Sequence, residues 1–297
     1  MKTAMNWSVS TITFRMCLYS PGSLVRIAKG CGFAGIELWE QHWRNTEADF
    51  RYWREKHPEV KFVAFSGYMD LTDLSDSCAG WRVDLERKMD ACRTLGIPVL
   101  RLFTGATSSL DASKSVWQRF FDRLEYVHDL ANRMDVEVAF ETHPNTLLDS
   151  RFGVEQLLEV IAERNWHRVG INFDGFHVWE YGVDPLECLK TWYPYVKHVH
   201  LKNASGRTAN FAPANVFSPL GRFGDLTPLS AGVVNVFELV QYLFRTAYGA
   251  AITVEWFGQP DIEFLKSEVQ FLNSCCAIDS WDPVDLISHA TLTSTSR

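Results

Sequence analysis

The segment VKHVHLKN, residues 196–203, places three polar side chains at alternate positions. If the segment is a β-strand, alternate side chains point to the same face, so His198, His200 and Lys202 line one side of it. An imidazole can bind a metal ion or carry a proton, and an ammonium group can bind an oxyanion or a carboxylate. The segment therefore predicts a reactive face whose partners come from other parts of the chain.

Polar residues also stand at or just beyond the carboxyl end of most other strand-like segments. The strands of a parallel barrel are buried on both faces and are expected to be nearly apolar. Catalytic groups of that fold converge at the carboxyl ends of several strands. Because this pattern recurs along the chain, we predict that these polar residues form one shared site. They are Arg15, Glu37, Tyr68, Arg101, Glu141, His143, Asp174, His200, Lys202 and Glu255.

Three carboxylates and one imidazole come from the last four segments, as Glu141, Asp174, His200 and Glu255. Unpaired carboxylates at one barrel mouth would repel one another and lose hydration at a large cost per ion. One divalent cation removes that cost, and three oxygen ligands with one nitrogen suit Mn²⁺, our first choice, or Mg²⁺ or Co²⁺ better than a thiolate-bound zinc. The alternative is a metal-free ionic network in which the acids pair with Arg15, Arg101 and Lys202.

Two further histidines lie beside these predicted ligands. His143 follows Glu141 by two residues and shares its face, and His177 follows Asp174 by three. Imidazoles, with an ordinary pKa of about 6.5, are suited to carry protons beside a metal ion. Each of the two histidines could instead support a ligand.

The remaining polar residues are candidates for substrate binding. Lys202 can donate to a carboxylate or an oxyanion, and Arg101 can clamp a carboxylate through two hydrogen bonds. Arg15 and Glu37 belong to the same group, although Glu37 could instead support a ligand. His198 lies deeper on its strand and is expected to be a core or supporting histidine.

Eight strand-like runs, each with a helical segment to follow, predict the elements that position these residues. The runs are WSVSTITF, GIELW, VKFVAFSGY, PVLRLFTG, VEVAFETH, RVGINFD, VKHVHLKN and AITVEWF, and amphipathic segments such as WRVDLERKMDACRTLG separate them. This alternation is typical of a parallel α/β barrel. No linker composition divides it, so we predict a single (β/α)8 TIM barrel over residues 1–297.

Two segments depart from the alternation. The stretch at about 203–234 is rich in Gly, Pro, Asn and Ser and follows the strand with His200. A loop of this length is usually functional or disordered, so we predict a lid over the active end, with an ordered surface excursion as the alternative. We expect the tail from about 278 to be irregular.

The composition excludes several classes of protein. The net charge of −7 has the wrong sign for a nucleic-acid groove. Seven cysteines without a CxxC pair indicate reduced thiols rather than a secreted disulfide scaffold. No apolar run reaches membrane-spanning length. We therefore expect a cytoplasmic protein that acts on a small molecule, without nucleic-acid or membrane partners; whether it forms a homodimer stays open.

Several motifs resemble the xylose-isomerase-like TIM barrels, a group of divalent-metal sugar isomerases, epimerases and related enzymes. They are GFAGIELW, FETHPNT, INFDGFHVWEYG, HVHLKN and TVEWFG. Within that group STITFR, ETHPNTLLDS, DGFHVWEYGVDP and PANVF are similar to bacterial 3-dehydroshikimate dehydratases of the kind that make protocatechuate for catechol siderophores. The resemblance runs from about residue 7 to 270 and is strongest in the C-terminal half.

The resemblance implies roles for individual residues. Glu141, Asp174, His200 and Glu255 become metal ligands, and His143, His177, Arg101, Lys202 and Tyr68 surround the substrate. Such dehydratases would carry a tyrosine where this chain has Phe217, so one lid contact differs while the metal chemistry does not. The implied pathway is either siderophore synthesis or quinate and shikimate catabolism.

The implied reaction converts 3-dehydroshikimate to protocatechuate. A base removes the C4 proton, which is acidified by the C3 ketone; the C5 hydroxyl then leaves, and loss of a C6 proton aromatises the ring. We expect His143 as the base, with His177 or Tyr68 protonating the departing hydroxyl. The alternatives are a sugar or inositol isomerase or epimerase and a metal-stabilised binding barrel. A related nuclease would need more histidine ligands and a basic face.

Overall fold

Eight parallel strands close in chain order into one barrel, in which β8 is hydrogen-bonded to β1. The computed structural model describes residues 5–44, 46–74, 80–206 and 226–277. The strands are β1 (Trp7–Ser10), β2 (Gly35–Trp39), β3 (Lys61–Ser66), β4 (Val99–Leu102), β5 (Glu137–Glu141), β6 (Val169–Asp174), β7 (Val196–Leu201) and β8 (Ile252–Val254). The predicted (β/α)8 fold class is confirmed.

Helices alternate with the strands along the chain. They are α1 (Pro21–Cys31), α2 (Glu40–Trp43), α3 (Glu47–Lys56), α4 (Gly80–Leu95), α5 (Lys114–Met134), α6 (Arg151–Arg164), α7 (Gly175–Glu180), α8 (Pro185–Trp192), α9 (Val236–Arg245) and α10 (Ile262–Ala277). The sequence did not predict α2, α3, α7 or α8. Three of these are short, and α3 buries only Phe50, so its apolar periodicity is weak.

The first predicted strand is shorter than its apolar run. Residues Thr11–Phe14 form a 3-10 helix instead of continuing β1. The Thr11 hydroxyl accepts a hydrogen bond from the backbone N–H of Trp39, and the Thr13 hydroxyl accepts one from Trp256. These side chains satisfy backbone groups of the neighbouring segments, so β1 can end while its neighbours stay connected.

The side chain of Asn203 joins the two ends of the long segment after β7. Its amide donates to the carbonyl oxygens of Leu229 and Val234, at 3.0 and 2.9 Å, and its oxygen accepts from the backbone of Ala204 and Val234. Residues 207–225, which include Phe217, lie outside the described residues, as does the tail from 278. The lid and the Phe217 contact stay predictions.

Among the described residues, no helix is both long and apolar enough to span a membrane.

Candidate active site

The barrel brings the four predicted ligands together at the carboxyl ends of its last four strands. Glu141 ends β5, Asp174 ends β6, His200 lies in β7 and Glu255 follows β8. All four are buried, and their ligand atoms lie within 4.8 Å of one another. Nδ1 of His200 lies 3.5 Å from Glu141 Oε1 and 3.9 Å from both Asp174 Oδ2 and Glu255 Oε1.

The chemistry of this tetrad fits a divalent cation. His200 Nδ1 is buried without a hydrogen-bond partner in the described part of the chain. With Glu37 the cluster holds four buried carboxylates, whereas Arg101 and Lys202 supply two positive charges. Since burial makes uncompensated charge costly, a dication would balance the two negative charges that remain when His200 is neutral. The donor set of oxygen atoms and one nitrogen suits such an ion.

Two cationic side chains contact the tetrad directly. Lys202 Nζ lies 2.8 Å from both Asp174 Oδ2 and Glu255 Oε2, and Arg101 Nε lies 2.9 Å from Glu141 Oε2. Burial disfavours the charge on Lys202, but the carboxylates outweigh it and raise its pKa. The pairs proposed for a metal-free network therefore form for these two residues. Burial also raises the pKa of Asp174, to about 6, in spite of Lys202.

Arg15 lies at the rim of the mouth and joins the segments that follow β1 and β8. Its guanidinium donates to the carbonyl oxygen of Phe257 at 2.5 Å and to that of Ile12 at 3.4 Å. A direct contact with substrate stays a prediction for this residue.

Glu37 lies behind His200 and not in the mouth. Its Oε2 is 2.7 Å from His200 Nε2 and 2.8 Å from His198 Nε2, while the hydroxyls of Ser10 and Ser66 donate to Oε1. The side chain is fully buried and both oxygens are occupied by protein donors. This position corrects the assignment of Glu37 to substrate binding and agrees with the alternative of a supporting residue.

The carboxylate of Glu37 also sets the state of His200. A carboxylate only accepts, so His200 Nε2 carries the hydrogen and, in the neutral ring, Nδ1 presents a lone pair to the three acids. Burial alone would raise the pKa of Glu37, but His200 and His198 lower it well below its ordinary range. The barrel therefore orients one nitrogen of His200 as a ligand.

His143 and His177 lie side by side next to Glu141, with ring centroids 4.6 Å apart. Nδ1 of His143 donates to the carbonyl oxygen of Pro144 at 2.8 Å, and His177 Nδ1 lies 2.5 Å from Glu180 Oε2. Burial lowers the pKa of His143 to about 4 and that of His177 well below its ordinary value. Neutral rings held through Nδ1 leave both Nε2 atoms as proton acceptors.

Tyr68 reaches the same mouth from the segment after β3. Its hydroxyl accepts a hydrogen bond from Trp39 Nε1 at 2.9 Å, and its backbone N–H donates to Glu40 Oε2 at 2.9 Å. Burial raises the pKa of Tyr68, so the hydroxyl keeps its proton and can donate it.

Sequence reasoning missed Glu40, Trp39 and Glu180, which hold Tyr68 and His177. Glu180 had a usable signal, because it follows His177 by three residues in FHVWE and residues three apart meet on a helix. Glu40 and Trp39 had none, since their contacts depend on the direction in which the chain leaves β2.

Three comparisons place this geometry among known proteins. Residues 25–275 match the family model described as xylose isomerase-like TIM barrel. A protein of Bacillus anthracis named 3-dehydroshikimate dehydratase is 32% identical over 287 residues, which cover 91% of this chain and 97% of that protein.

Two solved structures are similar in fold. The probable 3-DHS dehydratase AsbF, involved in petrobactin synthesis in Bacillus anthracis, matches with a TM-score of 0.80 and 30% identity over 91% of this chain and 99% of that chain. The IOLI protein with a bound zinc atom matches with a TM-score of 0.69 and 17% identity over 96% of this chain and 99% of that chain.

Proposed function

Since the chain belongs to the xylose isomerase-like TIM barrel family, we propose that it is a divalent-metal-dependent 3-dehydroshikimate dehydratase that forms protocatechuate. The observation that carries the proposal is the buried tetrad of Glu141, Asp174, His200 and Glu255, with two cations and two neutral imidazoles around it. The likeness to a protein of that name at 32% identity supports the same substrate.

The tetrad would hold the ion, and Mn²⁺ is our first choice because carboxylate-rich sites with one imidazole suit it. A zinc atom in the similar IOLI structure supports a divalent ion of some kind. When bound, the ion supplies Lewis-acid stabilisation of the negative charge that develops on the C3 oxygen of the substrate.

Proton transfers fall to the side chains around the tetrad. His143, half-buried with its Nε2 unprotonated, takes the C4 proton. Tyr68 or His177 gives a proton to the C5 hydroxyl, which leaves as water when its C–O bond breaks. The C3 oxygen then gains a proton and C6 loses one, so two protons leave carbon, two arrive on oxygen and the ring becomes aromatic. Because His177 is neutral and Tyr68 keeps its proton, Tyr68 is a better proton donor than His177.

Arg101 and Lys202 are the side chains that would bind the carboxylate of the substrate. Both cations contact tetrad carboxylates. Once those carboxylates bind a dication, the two cations lose part of their compensation and can bind the substrate carboxylate. A neutral sugar offers no such partner, which favours the dehydratase over an isomerase.

The test is turnover of 3-dehydroshikimate by protein loaded with Mn²⁺, followed by the aromatic absorbance of protocatechuate. We expect product with the loaded protein and none after removal of metal with a chelator. Absence of protocatechuate, together with isomerisation or epimerisation of a ketose or inosose by the same preparation, would contradict the proposal in favour of the isomerase alternative.

A further inference from the structure

Glu180, the last residue of α7, is a buried carboxylate that the proposed steps do not use. Its Oε2 lies 2.5 Å from Nδ1 of His177, and the two residues are 8% and 1% exposed. A carboxylate in this position is costly unless it has a partner, and the imidazole N–H provides one. The contact therefore indicates a function for Glu180 that acts through His177.

The backbone of His177 is fixed independently of its ring. Asp174 caps α7, and its Oδ1 accepts the backbone N–H groups of Phe176 and His177 at 3.0 and 3.1 Å. The other oxygen of Asp174 faces Lys202. The cap fixes the backbone position of His177, whereas the contact with Glu180 sets the orientation of its ring.

The ring of His177 reaches the reacting groups. One nitrogen of His177, one of His143 and an oxygen of Glu141 lie within 4.8 Å of one another. Nε2 of His177 is buried and has no hydrogen-bond partner among the described side chains and backbone. Because Glu180 accepts from Nδ1, the neutral ring carries its hydrogen there and keeps a lone pair on Nε2.

We propose that Glu180 is a positioning residue, which holds His177 in one ring orientation and one tautomer with Nε2 available to the substrate. The proposal rests on the proposed dehydratase function and makes His177 a proton acceptor beside the reacting groups, which leaves donation to the C5 hydroxyl to Tyr68. His143 is held in the same manner by the carbonyl oxygen of Pro144. Without the carboxylate, the His177 ring can rotate and exchange tautomers, and only a fraction of molecules would present the correct nitrogen.

The test combines a spectroscopic and a kinetic measurement on the full chain. The tautomer of His177 is read by ¹⁵N NMR of histidine-labelled protein without substrate, in the wild type, Glu180→Leu and Glu180→Gln. We expect one Nδ1–H tautomer in the wild type and a mixture in both variants, because leucine offers no acceptor and the glutamine amide can donate as well as accept. If Glu180→Leu does not fold, Glu180→Gln carries the test.

Steady-state kinetics with 3-dehydroshikimate should show kcat lowered about 10- to 100-fold in Glu180→Leu, with KM and metal content within about twofold of the wild type. In a His177→Ala background the same change should have almost no further effect. Glu187→Leu, which changes a solvent-exposed carboxylate of α8 paired with Arg151, is the matched control and should leave all readouts unchanged.

A single His177 tautomer in Glu180→Leu would overturn the proposal. So would a Glu180→Leu substitution that lowers kcat as much in the His177→Ala background as in the wild type. The NMR result does not depend on turnover, so it decides the role of Glu180 even if another assay overturns the dehydratase function.

Discussion

At the scale of single residues, the tetrad depends on its three carboxylate ligands keeping their negative charge. Glu255→Gln has nearly the shape of the wild type but replaces a carboxylate that lies 3.9 Å from His200 Nδ1 and 2.8 Å from Lys202. We expect bound metal and kcat to fall together by at least about tenfold, because an amide is a weaker ligand and leaves Lys202 less compensated. Elemental analysis and the protocatechuate assay measure the two effects.

The exposed Glu187→Gln is the control for Glu255→Gln and should keep both metal and activity. Full metal content with lost activity would assign Glu255 to a role other than that of a ligand.

His143 should behave in the opposite way, because it is placed as a base and not as a ligand. His143→Ala is expected to keep its metal while kcat falls about 10²- to 10⁴-fold, the usual contribution of a positioned base. Metal analysis of the same preparation separates this result from that of Glu255→Gln. A near-normal rate in His143→Ala would remove the residue from the base role.

At the scale of elements, the sequence predicted the strands well and the supporting contacts poorly. The ligands could be found because the ends of parallel barrel strands converge, so a polar residue after each apolar run is informative. The contact between Glu180 and His177 depends on ring direction within a six-residue helix, and α3 buries too little apolar surface to show a period. The positions of the strand ends can be predicted from the apolar pattern of the sequence, whereas the pairing of side chains depends on tertiary packing.

Glu37 illustrates a contact between strands that the sequence could not assign. It lies on β2 and holds His200 of β7 from behind, 2.7 Å from Nε2. Glu37→Ala removes this orientation and leaves two buried imidazoles without their acceptor, so we expect Mn²⁺ affinity to fall about 10- to 100-fold. Glu37→Gln keeps an acceptor oxygen and should lose less. Isothermal titration with Mn²⁺ measures both; equal affinity in the wild type and Glu37→Ala would contradict the supporting role.

Glu268 of α10 predicts a pH dependence of stability. Its Oε2 accepts the backbone N–H of Leu229 at 2.9 Å, and burial raises the pKa of Glu268 from 4.5 to about 7. The folded state therefore holds this proton more tightly than the unfolded state. Below its unfolded-state pKa, the carboxyl group is protonated in both states and does not change the stability. Above that pKa, the free energy of unfolding falls as pH rises to about 7 and then levels off.

We expect Glu268→Gln, which keeps an acceptor for Leu229, to be more stable than the wild type at pH 8 by up to about 3 kcal/mol, with the difference vanishing near pH 4.5. Urea unfolding at both pH values measures the change. Glu263→Gln, an exposed change on the same helix, should show no such difference. A constant difference across pH would contradict the buried, protonated state.

At the scale of the whole molecule, closure of the barrel creates the site. The four ligands come from β5, β6, β7 and the segment after β8, and β8 is held in place by its pairing with β1. Unfolding separates them, so the metal ion binds the folded chain far better than the unfolded one. The barrel and the ion therefore stabilise each other.

This linkage predicts a metal-dependent melting temperature. At a free Mn²⁺ concentration 100 times the dissociation constant, the folded state gains about 2.7 kcal/mol. For 297 residues, with an unfolding entropy of about 2.1 cal/mol/K per residue, that gain raises Tm by about 4 °C. Calorimetry of chelator-treated protein with increasing Mn²⁺ measures the shift, and Glu255→Gln should show a much smaller one. Identical melting of the wild type with and without saturating divalent ions would contradict a metal site formed by the tetrad.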